Sequence, residues 1–165
     1  MVSLKQKQSG FTIVELLIVI VIIGILAGLV ITTFVGIQQR ARNSERQTDI
    51  NSISIQLEGY FAKNSGYPTL TDLSNSAWRA ANEVKVGDGD KALADPSNSA
   101  TKTLSTTTPT ATGQQYSYNG GVAGTCVSPT DATGASVTGT YCTAYTLTAF
   151  MEGNGTAPYV KNSAN

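Results

Sequence analysis

The chain has 165 residues, enough for one domain with a hydrophobic core. Its 11 basic side chains balance its 11 acidic ones, and it has no histidine. The sequence therefore lacks the net charge of a typical nucleic-acid-binding protein, and also the commonest general base and metal ligand. Because it has no nucleophile elbow, phosphate loop or metal-ligand motif either, we expect no enzymatic activity, no cofactor, no metal and no direct nucleic-acid binding.

The strongly apolar residues are concentrated near the N-terminus. Residues 1–10 are polar and include Lys5 and Lys7, whereas no residue from Leu16 to Ile37 is charged. At about 1.5 Å per residue this stretch spans about 33 Å, enough to cross a bilayer. The two lysines favour a cytoplasmic N-terminus, but the arginines at 40–46 favour the opposite orientation, so charge alone leaves the orientation open.

Glu15 is a carboxylate near the start of this apolar segment, where an unpaired charge is costly and often functional. A side chain that reaches the lipid headgroups is the alternative. Glu15 belongs to the string GFTIVELL at residues 10–17, which follows a short basic leader and precedes a long aliphatic run. This string resembles the processing site of type IV prepilins, and the resemblance extends over the leader and the whole first helix.

The resemblance implies that a prepilin peptidase removes the leader, residues 1–10, by cutting between Gly10 and Phe11 on the cytoplasmic side. It also implies methylation of the new Phe11 amine. In a helical filament of identical subunits, this amine would approach the Glu15 carboxylate of another subunit. A buried charge left single costs about 3–5 kcal/mol, so this pair is expected to set the axial register of assembly.

The hydrophobic pattern predicts one long helix in two parts. Residues 11–37 form an apolar transmembrane or filament-core segment, and residues 38–63 continue it as an amphipathic helix. Gly24 and Gly28 in the first part permit either close helix contact or local softening, and the sequence does not choose between them. The helix is expected to end at residues 64–66, with Gly66 as its closing residue. The run YFAKNSGYP at residues 60–68 also resembles the helix-to-loop junction of pilins and secretion pseudopilins.

Two groups of charged residues have a structural and a functional interpretation. The i,i+3 pairs Arg42–Glu45 and Arg46–Asp49 are interpreted as a solvated helix face. A cluster of aspartates at 88, 90 and 95 permits a calcium site, but the spacing does not complete an EF-hand loop, and a plain Gly/Asp turn is the preferred interpretation.

Residues 64–165 are predicted to form an extracellular globular head, in which 69–113 are a connecting region. Within that region, Ser74 to Asn82 are expected to form a short helix with Trp78 turned inward. Residues 95–113 are rich in Ser and Thr and are expected to form an exposed, mobile loop.

Residues 114–165 are expected to form an antiparallel sheet of about four strands. The signals are a hairpin at Asn119–Gly121, an alternating strand from Tyr141 to Met151, a turn at Asn154–Gly155 and an edge strand that contains Pro158. The fold class is therefore α+β, a long N-terminal helix packed on a small C-terminal antiparallel sheet.

Cys126 and Cys142 are the two cysteines of the chain. If the head lies outside the cytoplasm they are expected to form a disulfide, whose loop would contribute about 3 kcal/mol of stability. Two free buried thiols are the alternative. The resemblance to pilins places such a C-terminal disulfide loop on the exposed surface.

Three functions follow from these features. The first is a structural subunit, a major or abundant pilin of a type IV pilus or fimbria with roles in adhesion or motility. It would be stored in the cell membrane with a cytoplasmic N-terminus and assembled into a surface filament. The second is a pseudopilin of a secretion or DNA-uptake machine, and the third is a monomeric membrane-anchored binding module. The first two imply the prepilin peptidase and a pilus-type assembly machinery as partners.

Overall fold

The computed structural model describes residues 10–113, 115–121, 126, 141–153 and 157–164. The chain divides into two compact units, Met1–Gln38 and Gln39–Asn165, called here the N-terminal unit and the C-terminal unit. The first helix, α1, runs over Ile13–Asn64. A small antiparallel sheet follows later in the C-terminal unit, so the fold is α+β, as predicted.

In the N-terminal unit, α1 begins two residues after the predicted start at Phe11. Each of its large apolar side chains up to Ile37 is at least 46% exposed. The helix is long and apolar enough to cross a membrane, and the most apolar 18-residue stretch is not covered by protein. These side chains therefore need a lipid or protein environment that the described chain does not itself provide.

In the C-terminal unit, α1 is amphipathic, as predicted. Ile50, Ile53 and Leu57 are fully buried, and Tyr60 is nearly so. They recur at three- and four-residue steps, so they lie on one face of the helix. This face packs into one hydrophobic core with side chains from the following helices and from the sheet.

α1 ends at Asn64, where the sequence predicts its end. The closing residue differs, however: Ser65 takes the left-handed conformation, with φ 56°, and its N–H donates to the Phe61 carbonyl at 2.7 Å. Gly66 has a different role, because a Cβ at this position would lie 2.7 Å from the Cβ of Tyr141. Gly66 thus permits close packing of the chain after the helix.

The short helix predicted at Ser74–Asn82 is present as α3, Ser76–Ala81. A further short helix, α2, Leu70–Ser74, precedes it. Asn75 separates them because its side chain accepts hydrogen bonds from the first N–H groups of α3 and so starts a new helix. Trp78 is half-buried against Tyr60, with ring centroids 5.3 Å apart, whereas Arg79 is the buried side chain of α3.

A 3-10 helix, Asp88–Leu93, leads into the Ser/Thr-rich segment 95–113. Many side chains of this segment are exposed, as predicted, but Asp95 and Leu104 are buried. The segment is also tied to the sheet by a parallel pairing of Ser105 with Ser117. The Ser105 N–H donates to the Tyr116 carbonyl at 2.9 Å, and the Tyr118 N–H donates to the Ser105 carbonyl at 2.8 Å.

The sheet in the described residues has three strands in the order β1-β2-β3, all antiparallel: β1 Ser117–Gly120, β2 Tyr145–Ala149 and β3 Tyr159–Asn162. In the register, Tyr118 faces Leu147 and Ala149 faces Tyr159. β3 lies at an edge, as predicted, but it starts directly after Pro158 instead of containing it.

The sheet differs from its prediction in two respects. Asn119 and Gly120 lie within β1 and pair with Thr146 and Tyr145, so they do not form a hairpin turn. Within the described residues there is no fourth strand, Tyr67 pairs with Cys142 as an isolated bridge, and the strand predicted from 141 to 151 is shorter, Tyr145–Ala149. The strand partner of β1 comes from far along the chain, which a local turn signal cannot reveal. The predicted turn at 154–155 lies outside the described residues.

Candidate assembly site

The peptide bond between Gly10 and Phe11 lies ahead of α1, in a stretch without regular structure. Gly10 is exposed, Phe11 is 78% exposed, and no atom lies within 4 Å of a Cβ built at Gly10. A peptidase requires an extended and unobstructed backbone, which a helix does not offer. The predicted cleavage site is exposed and lies outside the helix, and its cleavage stays a prediction.

Thr12 and Glu15 form a capping box that fixes the start of α1. The Thr12 N–H and hydroxyl donate to Glu15 Oε2 at 2.8 and 2.7 Å, and the Glu15 N–H donates to Thr12 Oγ1 at 3.2 Å. Two N–H groups that a helix start leaves unpaired are thereby satisfied. From the sequence alone, Glu15 is interpreted as a carboxylate without a partner in its own chain. The structure instead gives Oε2 a partner in the same chain, while the described residues give Oε1 none.

Gly24 and Gly28 lie within the unbroken helix α1 of the N-terminal unit. A Cβ built at either glycine has no atom within 4 Å. The described chain therefore offers no contact that explains them, and their role in helix contact or softening stays a prediction.

The structure contains the predicted disulfide between Cys126 and Cys142. Cys142 is fully buried, and its backbone pairs with Tyr67 by two hydrogen bonds of 2.8 Å. Gly120 lies against both sulfur atoms, where a side chain would collide with them. The disulfide therefore ties the end of the predicted loop to the region just after α1.

An ion-pair network that the sequence did not reveal lies in the C-terminal unit. Arg46 is fully buried and donates to Asp95 through Nε and Nη2 at 2.7 and 2.9 Å. Its Nη2 also lies 2.8 Å from Glu152, which is bound in turn by both Nε and Nη2 of Arg42. Asn43 completes the contact, because it exchanges two hydrogen bonds with the Glu152 backbone at 2.8 and 2.9 Å.

This network corrects the interpretation of Arg42 and Arg46 as part of a solvated helix face. The pairs proposed from sequence, Arg42–Glu45 and Arg46–Asp49, do not form. Both arginines turn instead toward carboxylates 49 and more residues away. The sequence signal for such distant partners is weak, since any carboxylate in the head is a candidate.

The charges of the network shift the pKa of its members. Hydrogen bonds from Arg42 lower the pKa of Glu152 to about 2. Burial acts in the opposite direction, while the hydrogen bond and charge of Arg46 lower the pKa further. Burial acts to lower the pKa of Arg46, but Asp95 and Glu152 outweigh it and the pKa is raised. These shifts favour the charged forms of Glu152 and Arg46, and the network joins two arginines to two carboxylates.

Asp49 follows on α1 in a different environment. Its Oδ2 accepts a hydrogen bond from the Tyr116 hydroxyl at 2.8 Å. Burial raises the pKa of Asp49 to about 6, and the nearby Glu45 and Asp95 carboxylates add to this effect. Burial and the Asp49 carboxylate also raise the pKa of Tyr116.

The aspartates considered for calcium separate in the structure. Asp90 pairs with Arg79, and Asp95 pairs with Arg46. Within the described residues no group of three or more carboxylates or thiols is arranged to hold a metal ion. The structure thus gives two of these side chains a role as counter-ions of buried arginines.

The comparisons with known proteins identify the N-terminal motif first. Residues 5–31 match the prokaryotic N-terminal methylation motif. The chain is 36% identical over 98 residues to the type II secretion system core protein G of Escherichia coli K12. The aligned region covers 55% of this chain and 68% of that protein. This chain belongs to the type IV pilin-like family.

Proteins of the same name from other bacteria are also similar. The Dickeya chrysanthemi protein is 39% identical over 66 residues, 40% of this chain and 43% of the relative. The Aeromonas hydrophila protein is 42% identical over 65 residues, 39% of this chain and 46% of the relative. The chain thus spans less than half the length of these two relatives. No solved structure matches it.

Proposed function

We propose that this chain is a pseudopilin, a structural subunit of a short filament in a secretion machine. The supporting observation is the extent of the match to the Escherichia coli protein. It covers 55% of the chain, more than residues 1–64 together contain, so it continues beyond α1. The processing motif shared by pilin-like proteins covers only residues 5–31 and cannot account for a match of this length.

This proposal replaces a surface pilin as the preferred function. The disulfide and the Ser/Thr-rich segment suit any head outside the cytoplasm, so they do not distinguish a surface pilus from a secretion filament. The similar proteins are named for a secretion system. We therefore place the precursor in the cell membrane, with its head outside the cytoplasm, and the filament at the membrane rather than on the cell surface.

Assembly follows from the chemistry of the first residues. Cleavage after Gly10 would create a positively charged amine at Phe11, directly before the capping box. Glu15 Oε2 is held by Thr12, whereas Oε1 has no partner in the described chain. The Phe11 amine of a second copy is a suitable partner for Oε1, since an apolar surrounding strengthens the attraction and penalises a misplaced charge. Subunits would thereby be held in one axial register.

The test is mass spectrometry of this chain from cells separated into membranes and sheared surface material. We expect most of it in membranes, beginning with N-methylated Phe11 and with Cys126 and Cys142 joined. A chain that dominates sheared surface filaments would instead establish a surface pilin. A chain that still begins at Met1 would remove the processing site and the filament together.

A pair of variants ties the result to the cleavage site itself. Gly10→Leu places a bulky side chain at the bond to be cut and is expected to leave the leader attached. Ser9→Ala, one residue earlier, is the control and should be processed normally. Normal processing of Gly10→Leu would contradict the assigned cleavage position.

A further inference from the structure

A cleft of about 900 Å³ opens in the C-terminal unit. α1 lines it with Ser52, α3 with Ser76 and Arg79, and the following segment with Lys85 and Asp90. Its volume is within the range of pockets that bind small molecules or a few residues of a peptide.

Arg79 is the buried charged residue of this cleft. Its side chain is 4% exposed; Nη1 donates to the Leu73 carbonyl and Nη2 to Asp90 Oδ2. Its Nε has no hydrogen-bond partner among the described residues. A buried donor without an acceptor is unfavourable, so the site lacks one acceptor.

Two other arginines of this unit are bound to carboxylates, and comparison with them shows which hydrogen bond Arg79 lacks. Arg42 donates from both Nε and Nη2 to Glu152, and Arg46 does the same to Asp95. This two-pronged arrangement is the strong geometry of an arginine–carboxylate pair. Asp90 accepts from only one of the two corresponding atoms of Arg79. The guanidinium of Arg79 is thus only half engaged.

Asp90 is also the partner most easily displaced. Its side chain is 34% exposed, compared with 13% for Glu152 and 1% for Asp95. Lys85 is exposed at the same cleft and makes no ion pair with the described residues. A carboxylate that entered the cleft would meet both cations, while Glu83 is already held by Lys63 at 2.8 Å.

We propose that this cleft binds an acidic peptide segment, whose carboxylate replaces Asp90 on the Nε and Nη2 atoms of Arg79 while Lys85 attracts it at the entrance. A peptide fits better than a small carboxylate, because one carboxylate group would fill only a small part of the cleft. The proposal is independent of the filament function, since none of these residues belongs to the processing or assembly site.

The experiment uses the full chain in detergent micelles and follows the Arg79 Nε–H signal by nitrogen-15 NMR. The probe is the peptide Ac-Glu-Glu-Glu-NH₂, and the neutral Ac-Gln-Gln-Gln-NH₂ is its control. We expect a saturable shift with the acidic peptide alone. Sodium acetate, tested separately, is expected to bind far more weakly; equal binding of acetate would overturn the assignment to a peptide.

Variants test the exchange of carboxylates. Asp90→Asn tolerates the same backbone conformation but removes the competing charge, so binding should tighten about tenfold. Lys85→Gln should weaken it about threefold, whereas Lys161→Gln on β3 should have no effect. The proposal is overturned if neither the native chain nor Asp90→Asn shows a saturable shift, or if the neutral peptide binds equally well.

Discussion

Arg46 on α1 and Asp95 in the segment after the 3-10 helix form a two-pronged ion pair inside the C-terminal unit. Their atoms are 2.7 and 2.9 Å apart, and neither side chain is more than 1% exposed. The pair joins residues 49 positions apart. Through Glu152 and Arg42 it extends to the segment after β2, so three parts of the chain meet at one group of charges.

Removal of the Glu152 charge should therefore destabilise the C-terminal unit strongly. In Glu152→Gln, Arg42 and the buried Arg46 lose a carboxylate that both of them bind. We expect a loss of about 1–3 kcal/mol in the free energy of unfolding, because two arginines each lose a charged hydrogen-bond acceptor although Arg46 keeps Asp95. Urea unfolding of the full chain in detergent, followed by Trp78 fluorescence, measures this change.

The control for this variant is Glu83→Gln. Glu83 pairs with Lys63, but their side chains are 74% and 64% exposed. Such a surface pair contributes about 0–1 kcal/mol. Equal stability losses in the two variants would show that the buried network contributes no more than a surface pair.

The raised pKa of Asp49 predicts an unusual pH dependence of the free energy of unfolding. Its pKa is raised from 3.8 to about 6, mainly by burial, so the folded chain keeps this proton at a pH where the unfolded chain has lost it. Its stabilising contribution is present below pH 4 and is lost as pH rises through 6. At pH 7 the free energy of unfolding of Asp49→Asn should therefore exceed that of the native chain by about 1–3 kcal/mol. The variant should unfold at a higher urea concentration.

Measurement of the same pair at pH 3, below the unfolded pKa of 3.8, provides the internal control. Asp49 is then largely protonated in both the folded and the unfolded chain, so the two stabilities should agree. Glu152 has the opposite dependence, because its lowered pKa makes its contribution present above about pH 4.5 and lost as pH falls toward 2. If Asp49→Asn were less stable than the native chain at pH 7, the charge of Asp49 would be favourable in the folded chain.

Glu15→Leu tests the assembly site. The variant loses the charge that would pair with the Phe11 amine of the next subunit, so we expect cleaved, membrane-bound chain but few filaments. Glu15→Gln separates charge from helix capping, because its amide oxygen can still accept the bonds from Thr12. Both variants should assemble poorly, as judged by chemical crosslinking and electron microscopy. Normal filaments from Glu15→Gln would mean that the charge is not required.

Gly120→Ala should disturb the disulfide. The added Cβ would lie 3.1 Å from the Cys126 sulfur and closer still to that of Cys142. We expect incomplete disulfide formation, and a loss of about 1–3 kcal/mol even where the bond forms, because the strand must shift. Thiol labelling of the unfolded chain with mass spectrometry counts the free cysteines.

Gly59→Ala is the matched control for this substitution. A Cβ at Gly59 has no atom within 4 Å, and the residue lies inside α1. Alanine is favoured over glycine in a helix by about 1 kcal/mol, so this variant should gain stability. Complete oxidation and native stability of Gly120→Ala would contradict the close packing of Gly120 against the sulfurs.

The sequence by itself predicted the features that depend on nearby residues. The apolar segment, the buried face of Ile50, Ile53 and Leu57, and the end of α1 at Asn64 all follow from helical periodicity and local stop signals. The processing motif is equally local, since its residues are consecutive. The disulfide was also predictable, because the chain has only two cysteines.

Only the tertiary structure decided which distant groups meet. It turned Arg42 and Arg46 from a solvated face into a buried network, and it paired β1 with a strand reached through residues 121–144. Ion pairs and strand pairs of this kind depend on the energy of the whole packed unit, in which burial penalises every charge left without a partner. That global condition leaves little trace in any short stretch of sequence.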